Sequence, residues 1–481
     1  MRIASGCAVL GLLAACTVGI GLEDKPAAQP QPAAPPPLPV KTADAPALPA
    51  KPADPKAAAP VPDKPASIDP VIAKLVAELG SEDYQTREAA GKKLGSMGEK
   101  ALPDLRRALD SSDNLEVSRR LTVLVRRLDY DRLVNPKRIT LKVKDKPAKE
   151  IFDAIAKQTG YKIEYNGGGD QKFSFEFENT PFWPAMDQVA TAAGLSVNPG
   201  YDDDSIHLYQ QNSLSPYVSY SGPFRLVANH ISTSKSIQLS NLNQNGFGNR
   251  GQEYINMSFQ IFSEPKNPIL GVNPVDLTLA EDETGASLIP PKDPNNRSTS
   301  HYYNQGYRSH NASAGLNLTR GAKDATSIKM MKGRVGIQLL SGTVPEIIVP
   351  DPLNIKTKKF AGRTASLDIE ALTENGKGSG LYTLAVTVSR VNPDPNHYDY
   401  SWANNAWQKM ELVDDKGNKY RATSYNHINS TPSSIQMTVP FGPDNRIPNP
   451  PKLGPPVKFV FNEWQSVTTE VTFEFKDVPL P

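Results

Sequence analysis

Cysteine is almost missing: of 481 residues only Cys7 and Cys16 carry a thiol, so everything after residue 16 folds without a disulfide or a thiolate-bound metal. No Phe, Tyr or Trp occurs before Tyr84, so the aromatic side chains available to packed cores are concentrated outside the Pro-rich stretch. Charge bias is lacking too. Lys and Arg number 53 against 51 Asp and Glu, a formal charge of +2, which gives no global pull toward nucleic acid or an anionic membrane. The usual marks of catalysis are also missing: none of the six histidines stands in a His-x-x-x-His or His-Glu-x-x-His frame, and no Gly-x-Ser-x-Gly elbow, phosphate loop or dinucleotide fingerprint occurs. The expectation is a protein that is not an enzyme and holds no cofactor or metal. What the sequence does contain speaks to address, architecture and class.

Residues 1–22 read as a signal peptide: Arg2, then an apolar run from Ile3 to Ala15 that is too short and glycine-rich to span a membrane. Leu13-Ala14-Ala15-Cys16 resembles the bacterial lipobox, which implies that Cys16 is lipidated and begins the mature chain. Ordinary cleavage after Gly21, with Gly19 and Gly21 as the small residues, and an uncleaved anchor are the alternatives. Residues 23–69 are Pro, Ala, Lys and Asp with almost nothing large. Such a stretch favours extended polyproline conformations and at about 3.1 Å per residue reaches on the order of 100 Å. It reads as a spacer, with a proline-motif ligand as the lesser alternative.

Over residues 70–134 the apolar period is helical. Ile72, Leu75, Val76 and Leu79 open the series; Tyr84, Ala90, Leu94 and Met97 follow; Leu102, Leu105 and Leu109 mark a third helix and Val117, Leu121, Leu124 and Leu128 a fourth. The stretch from Leu79 to Ala90, with Leu94 and Ala101-Leu102-Pro103-Asp104-Leu105 after it, resembles HEAT-like helical repeats, here with room for only a small module. Its arginine pairs Arg106-Arg107, Arg119-Arg120 and Arg126-Arg127 alternate with acids such as Asp104, Glu116, Asp129 and Asp131. That pattern reads as a solvated, salt-bridged face rather than a nucleic-acid surface.

From residue 138 to 212 the order reads βαββαβ, a two-layer sandwich. Ile139, Leu141 and Val143 alternate, Ile151, Phe152 and Ile155 form a helical stripe, Phe173, Phe175 and Phe177 alternate again, and Met186, Val189 and Ala190 form a second stripe. Asp145-Lys146-Pro147 and Asn179-Thr180-Pro181 each join a strand to a helix. This repeated phrase resembles the short N-terminal domain shared by secretins and TonB-dependent receptors, which implies a periplasmic docking element without a catalytic role. Pro184, a second proline in the first turn, is expected to cost a hydrogen bond.

Strands dominate the remainder, with an internal repeat of about 130 residues. Met257–Ile261 answers to Leu384–Val388, Asp282–Gly285 to Asp414–Gly417, and Ile328–Met330 to Phe459–Phe461, with a bulge differing between copies. Two tandem β-sandwiches follow, over 215–350 and 351–481. The whole therefore reads as multidomain α+β: a small helical HEAT-like module, a βαββαβ domain and two β-sandwiches. In this combination it resembles a group of planctomycete-type exported proteins.

The candidate sites are few. The Asp-x-x-Gly turns and Asp202-Asp203-Asp204 offer hard oxygen ligands for calcium, but Asp followed by Gly is also what a hairpin turn needs. Two loops, 301–308 with Tyr302, Tyr303 and Tyr307 and 397–407 with Tyr398, Tyr400, Trp402 and Trp407, combine aromatic planes with amides, the chemistry that grips glycans or extended peptides. The competing reading folds these rings back onto the sandwich. Function is expected to be protein–protein interaction or envelope assembly by an exported, membrane-anchored lipoprotein of the bacterial cell envelope. Soluble periplasmic or secreted residence is the alternative address. A surface glycan-binding module using the two loops is the alternative function.

Overall fold

The computed structural model describes residues 68–165, 171–200, 205–210, 215–236, 252–291, 308–392, 401–444 and 450–481. Cys16, the spacer, Asp202 to Asp204, and Tyr302, Tyr303, Tyr307, Tyr398 and Tyr400 lie outside the described residues. The architecture is mixed α+β with several mainly antiparallel sheets.

Four helices open the described chain: α1 (Pro70–Glu78), α2 (Tyr84–Met97), α3 (Leu102–Asp110) and α4 (Leu115–Val134). Asp69, Asp83 and Asn114 cap α1, α2 and α4 with side-chain oxygens that accept from the free amides of the first turn. Ile72, Leu75, Leu79, Ala90, Leu94, Leu102, Leu105, Val117, Leu121 and Leu128 share one core. Tyr84 is a correction: it is 65% exposed, because it is the first helical residue after the Asp83 cap and lies beside the Arg87 guanidinium, 5.9 Å from its ring centre, rather than on the apolar stripe.

Next come β1 (Arg138–Pro147), α5 (Ala148–Thr159), β2 (Lys162–Tyr165), β3 (Lys172–Pro181), α6 (Phe182–Ala192), β4 (Leu195–Pro199) and β5 (Ser205–Gln210). The echoed Asp-x-Pro and Asn-x-Pro phrases take the same backbone. Asp145 and Asn179 have φ of 50° and 49°, a left-handed conformation that short polar side chains tolerate, and Pro147 and Pro181 precede the first turns of α5 and α6. The two-layer expectation is corrected: β1 pairs with β3, β5 lies between β2 and β4, and α5 and α6 each touch both of these sheets. Pro184 breaks no helical bond, since it is the third residue of α6, where a backbone N–H has no intrahelical partner anyway.

The rest is β-structure: β6 (Val218–Ser221), β7 (Phe224–Ser236), β8 (Gln252–Ser263), β9 (Ile269–Val272), β10 (Asp276–Asp282), β11 (Asn311–Leu318), β12 (Ser327–Pro350), β13 (Lys358–Ala361), β14 (Ala365–Glu374), β15 (Tyr382–Arg390), β16 (Met410–Asp414), β17 (Lys419–Ala422), β18 (Asn426–Thr431), β19 (Ser434–Gly442) and β20 (Pro456–Pro479). Two cores form, as the repeat implies, but a boundary at 350/351 does not separate them. β12 and β20, each 24 residues long, pair antiparallel from Ser327↔Pro479 to Pro350↔Lys458. Val471, Phe473 and Phe475, from the second repeat, fill the first core, while Ile347 and Val349, from the first repeat, fill the second. Bulges at Leu340/Gly342 and Pro345/Ile347 reset which face points inward as β12 passes from one core to the other. β10 carries a bulge between Leu277 and Leu279 that β16 does not, the difference between copies that the shifted alternation implies.

Candidate functional site

The elements meet at a junction whose residues are distant in sequence. Leu133, at the end of α4, belongs to the first of the two β-cores, and Phe262 of β8 belongs to the core around α5 and α6. The turn between β6 and β7 carries Gly222 at φ 55°, where a Cβ would stand 2.9 Å from the Val134 carbonyl oxygen, so only glycine permits this approach. Its neighbour Pro223 accepts a 3.0 Å hydrogen bond from the indole of fully buried Trp183. Glu264, also fully buried, accepts from the Lys137 amide with both oxygens at 3.1 Å and from the Tyr161 hydroxyl at 2.6 Å, with the Lys266 ammonium 3.7 Å away. Burial pushes the Glu264 carboxyl up to about 7 despite those partners, and burial together with the facing carboxylate raises the Tyr161 phenol.

Of the seven aromatic residues singled out, Trp402 and Trp407 lie in the described chain, and both pack against the second β-core. Trp407 stacks on Tyr425 at 6.1 Å, and Arg390 stands 5.8 Å over the Trp402 ring. These two rings cover apolar surface rather than standing as free planes. The described flanks of the two loops do meet, where the Arg308 amide donates to Gln408 Oε1 at 2.7 Å.

The paired Asp turns are equivalent to the atom. Asp282 Oδ1 accepts from the amides of Thr284 and Ala286 and Oδ2 from Ala322; Asp414 Oδ1 accepts from Lys416 and Asn418 and Oδ2 from Gly454. Each aspartate latches its own turn to a loop 40 residues on, and the amide donors hold the Asp282 carboxyl down at about 2. With their oxygens so occupied, both turns act as structure. Among the described residues no group of three or more His, Cys, Asp or Glu is arranged to hold a metal.

One polar constellation escapes motif reading. Ser205, His207 and Tyr209 alternate along β5, and the parallel register sets Glu164 of β2 opposite His207. The Ser205 hydroxyl lies 2.9 Å from His207 Nε2, and His207 Nδ1 lies 3.0 Å from Glu164 Oε2. This is the hydrogen-bond order of a nucleophilic triad, but Ser205 is only 1% exposed, which hides its hydroxyl from a substrate. What the chain of bonds does is fix the imidazole. The period-two alternation in the sequence marks Ser205 and His207 as one face; Glu164 requires knowledge of the β2–β5 pairing.

A second feature lies on the helical module, where α2 and α4 flank a cavity of about 740 Å³. Gly91 and Gly95, four apart inside α2, line it. A Cβ on either would meet nothing closer than 3.7 Å, so packing does not demand glycine, and interior helical glycine costs roughly 0.5–1 kcal/mol relative to alanine. Their effect is to keep the groove open. Val123, 65% exposed, is its apolar wall. Its cations are Arg87, Lys92, Arg119, Arg120 and Arg127, against Glu88, Glu116 and Asp131. Arg120 is committed to Glu116 and Glu88 at 2.7 and 3.3 Å, and Arg87 donates to the Ser81 and Glu82 carbonyls. Lys92 and Arg119 are exposed and make no ion pair among the described residues. Arg106 and Arg107 pair with Asp129 and Asp104, and Arg127 stands 3.7 Å from Asp131, so ion pairs run along this face and into the groove, where Lys92 and Arg119 stay outside them.

No protein-family model, no curated protein and no solved structure matches the chain. Among the described residues no helix is long and apolar enough to cross a membrane.

Proposed function

We propose that this chain is a non-catalytic protein of the bacterial cell envelope that docks another envelope protein through the groove between α2 and α4. The partner presents an acidic segment with an apolar residue for Val123. The observation that carries the reading is the groove's makeup: two glycines that packing does not require, an exposed apolar wall, and the uncommitted cations Lys92 and Arg119 beside it. Charge complementarity of this kind sets orientation and specificity more than raw affinity. The finer layout belongs to the same proposal: a HEAT-like module carries the groove, a domain like the short N-terminal domain of secretins follows, and the joined sandwiches brace both. Cys16 tethers the chain to the membrane, and residues 23–69 set its reach.

Two expected results follow. Cys16→Ser releases the protein from membranes into the soluble fraction, with intact-mass analysis of the parent showing a lipidated cysteine at its start; an unlipidated start at Leu22 contradicts the tether. Crosslinking pull-down from native envelopes captures a protein through the wild-type chain but not through Lys92→Glu/Arg119→Glu. Both substituted positions are exposed, so the double variant keeps its melting temperature. Equal capture by both forms rules out the groove.

A further inference from the structure

We infer that a second, independent ligand site lies where the outer face of β4 and β5 meets β8 and β11, and that it takes a small neutral saccharide. A cavity of about 430 Å³ opens there, within the range of small-ligand clefts. Its wall residues come from both sides of the junction: Asn198 from β4, His207 and Tyr209 from β5, Gln260 and Phe262 from β8, and Asn311 from β11.

The chemistry of that wall selects the class of ligand. Three carboxamides surround the space, and their hydrogen-bonding capacity is largely open. The Gln260 amide has no partner among the described residues, the Asn311 amide is engaged only through Oδ1 with the Ser309 hydroxyl at 3.4 Å, and Asn198 uses its Nδ2 on the Tyr209 hydroxyl. A carboxamide offers both donor and acceptor, which matches adjacent hydroxyl groups that each give and take a proton. The imidazole of His207 is fixed by Ser205 and Glu164, so it meets a ligand in one orientation. The Tyr209 ring, 41% exposed, supplies an apolar plane for the C–H face of a sugar, with buried Phe262 behind the amides. No lysine or arginine lines the space, which disfavours phosphate and carboxylate ligands. The site shares no wall residue with the groove on the helices.

Saturation-transfer NMR on the full chain tests this, with glucose, mannose, galactose and N-acetylglucosamine as probes at about 10 mM, a concentration that fills most of a site with a dissociation constant of about 1 mM. At least one probe is expected to receive saturation. Gln260→Ala and Asn311→Ala are each expected to weaken that probe about tenfold while circular dichroism stays native; Asn311 sits on the edge strand β11, so at least this variant keeps its fold. Trp402→Ala is expected to leave binding unchanged. No transfer to any of the four sugars, wild-type affinity in both amide variants, or loss confined to Trp402→Ala would overturn the proposal.

Discussion

Trp183→Ala is expected to lower the stability of the described body by about 3–5 kcal/mol, the cost typical of truncating a fully buried tryptophan. Trp183 is 0% exposed, meets Phe182 edge-on at 5.1 Å, and donates to the Pro223 carbonyl in the β6–β7 turn. The truncation therefore leaves a cavity beside α6 and also removes the donor for a carbonyl at the junction. Trp183→Phe separates the two effects, since it keeps most of the apolar volume; it is expected to cost about 1–2 kcal/mol. Denaturant titration followed by circular dichroism gives both values. A loss under 1 kcal/mol for the alanine variant would mean that the junction is not packed as described.

The second large effect is a dependence on pH. Glu264 holds its proton up to about pH 7 in the folded state, against an ordinary value of 4.5. Between these limits the folded protein binds more protons than the unfolded chain, so stability falls as pH rises from 4.5 to about 7 and is level above. At about 1.4 kcal/mol per pH unit this window is worth about 3 kcal/mol. The charged groups around Glu264 are Lys266, Lys137, Glu99 and Arg132, with the Tyr161 phenol. The depressed carboxyls of Asp282, Glu283 and Glu474, each at about 2, act in the opposite sense and lose their contribution only as pH falls below about 4.5. Glu264→Gln, which keeps the shape and cannot ionise, is expected to remove the fall between pH 4.5 and 7. Melting temperatures at half-unit intervals of pH check it: a parent and variant with parallel profiles would assign the dependence elsewhere.

Local chemistry was legible in the sequence, and long-range pairing was not. The two phrases ending in Pro147 and Pro181 announce their strand-to-helix turns because the left-handed Asp or Asn and the proline act within three residues. The Asp282 and Asp414 turns are legible as turns for the same reason, although their amide partners at Ala322 and Gly454 are not. The sequence shows that strands dominate the last half and that Ile328–Met330 answers to Phe459–Phe461; it carries no information that β12 and β20 pair with each other along their whole length and so lend side chains to both cores. Tyr84 departs from the apolar period because it stands in the capped first turn, ahead of the helix's buried stripe. The groove left one trace, two glycines four apart inside a helix, whose meaning depends on what stands opposite them in α4.

Docking at the helical groove is tested most directly by a photoreactive residue in place of Val123, which is 65% exposed on the groove wall. After irradiation in native envelopes and peptide mapping, the account predicts one dominant crosslink to a segment of another protein rich in Asp and Glu, absent when Lys92→Glu/Arg119→Glu is combined with it. Crosslinks that spread over many proteins, fall on lipid or on this chain itself, or survive the charge reversal would contradict it.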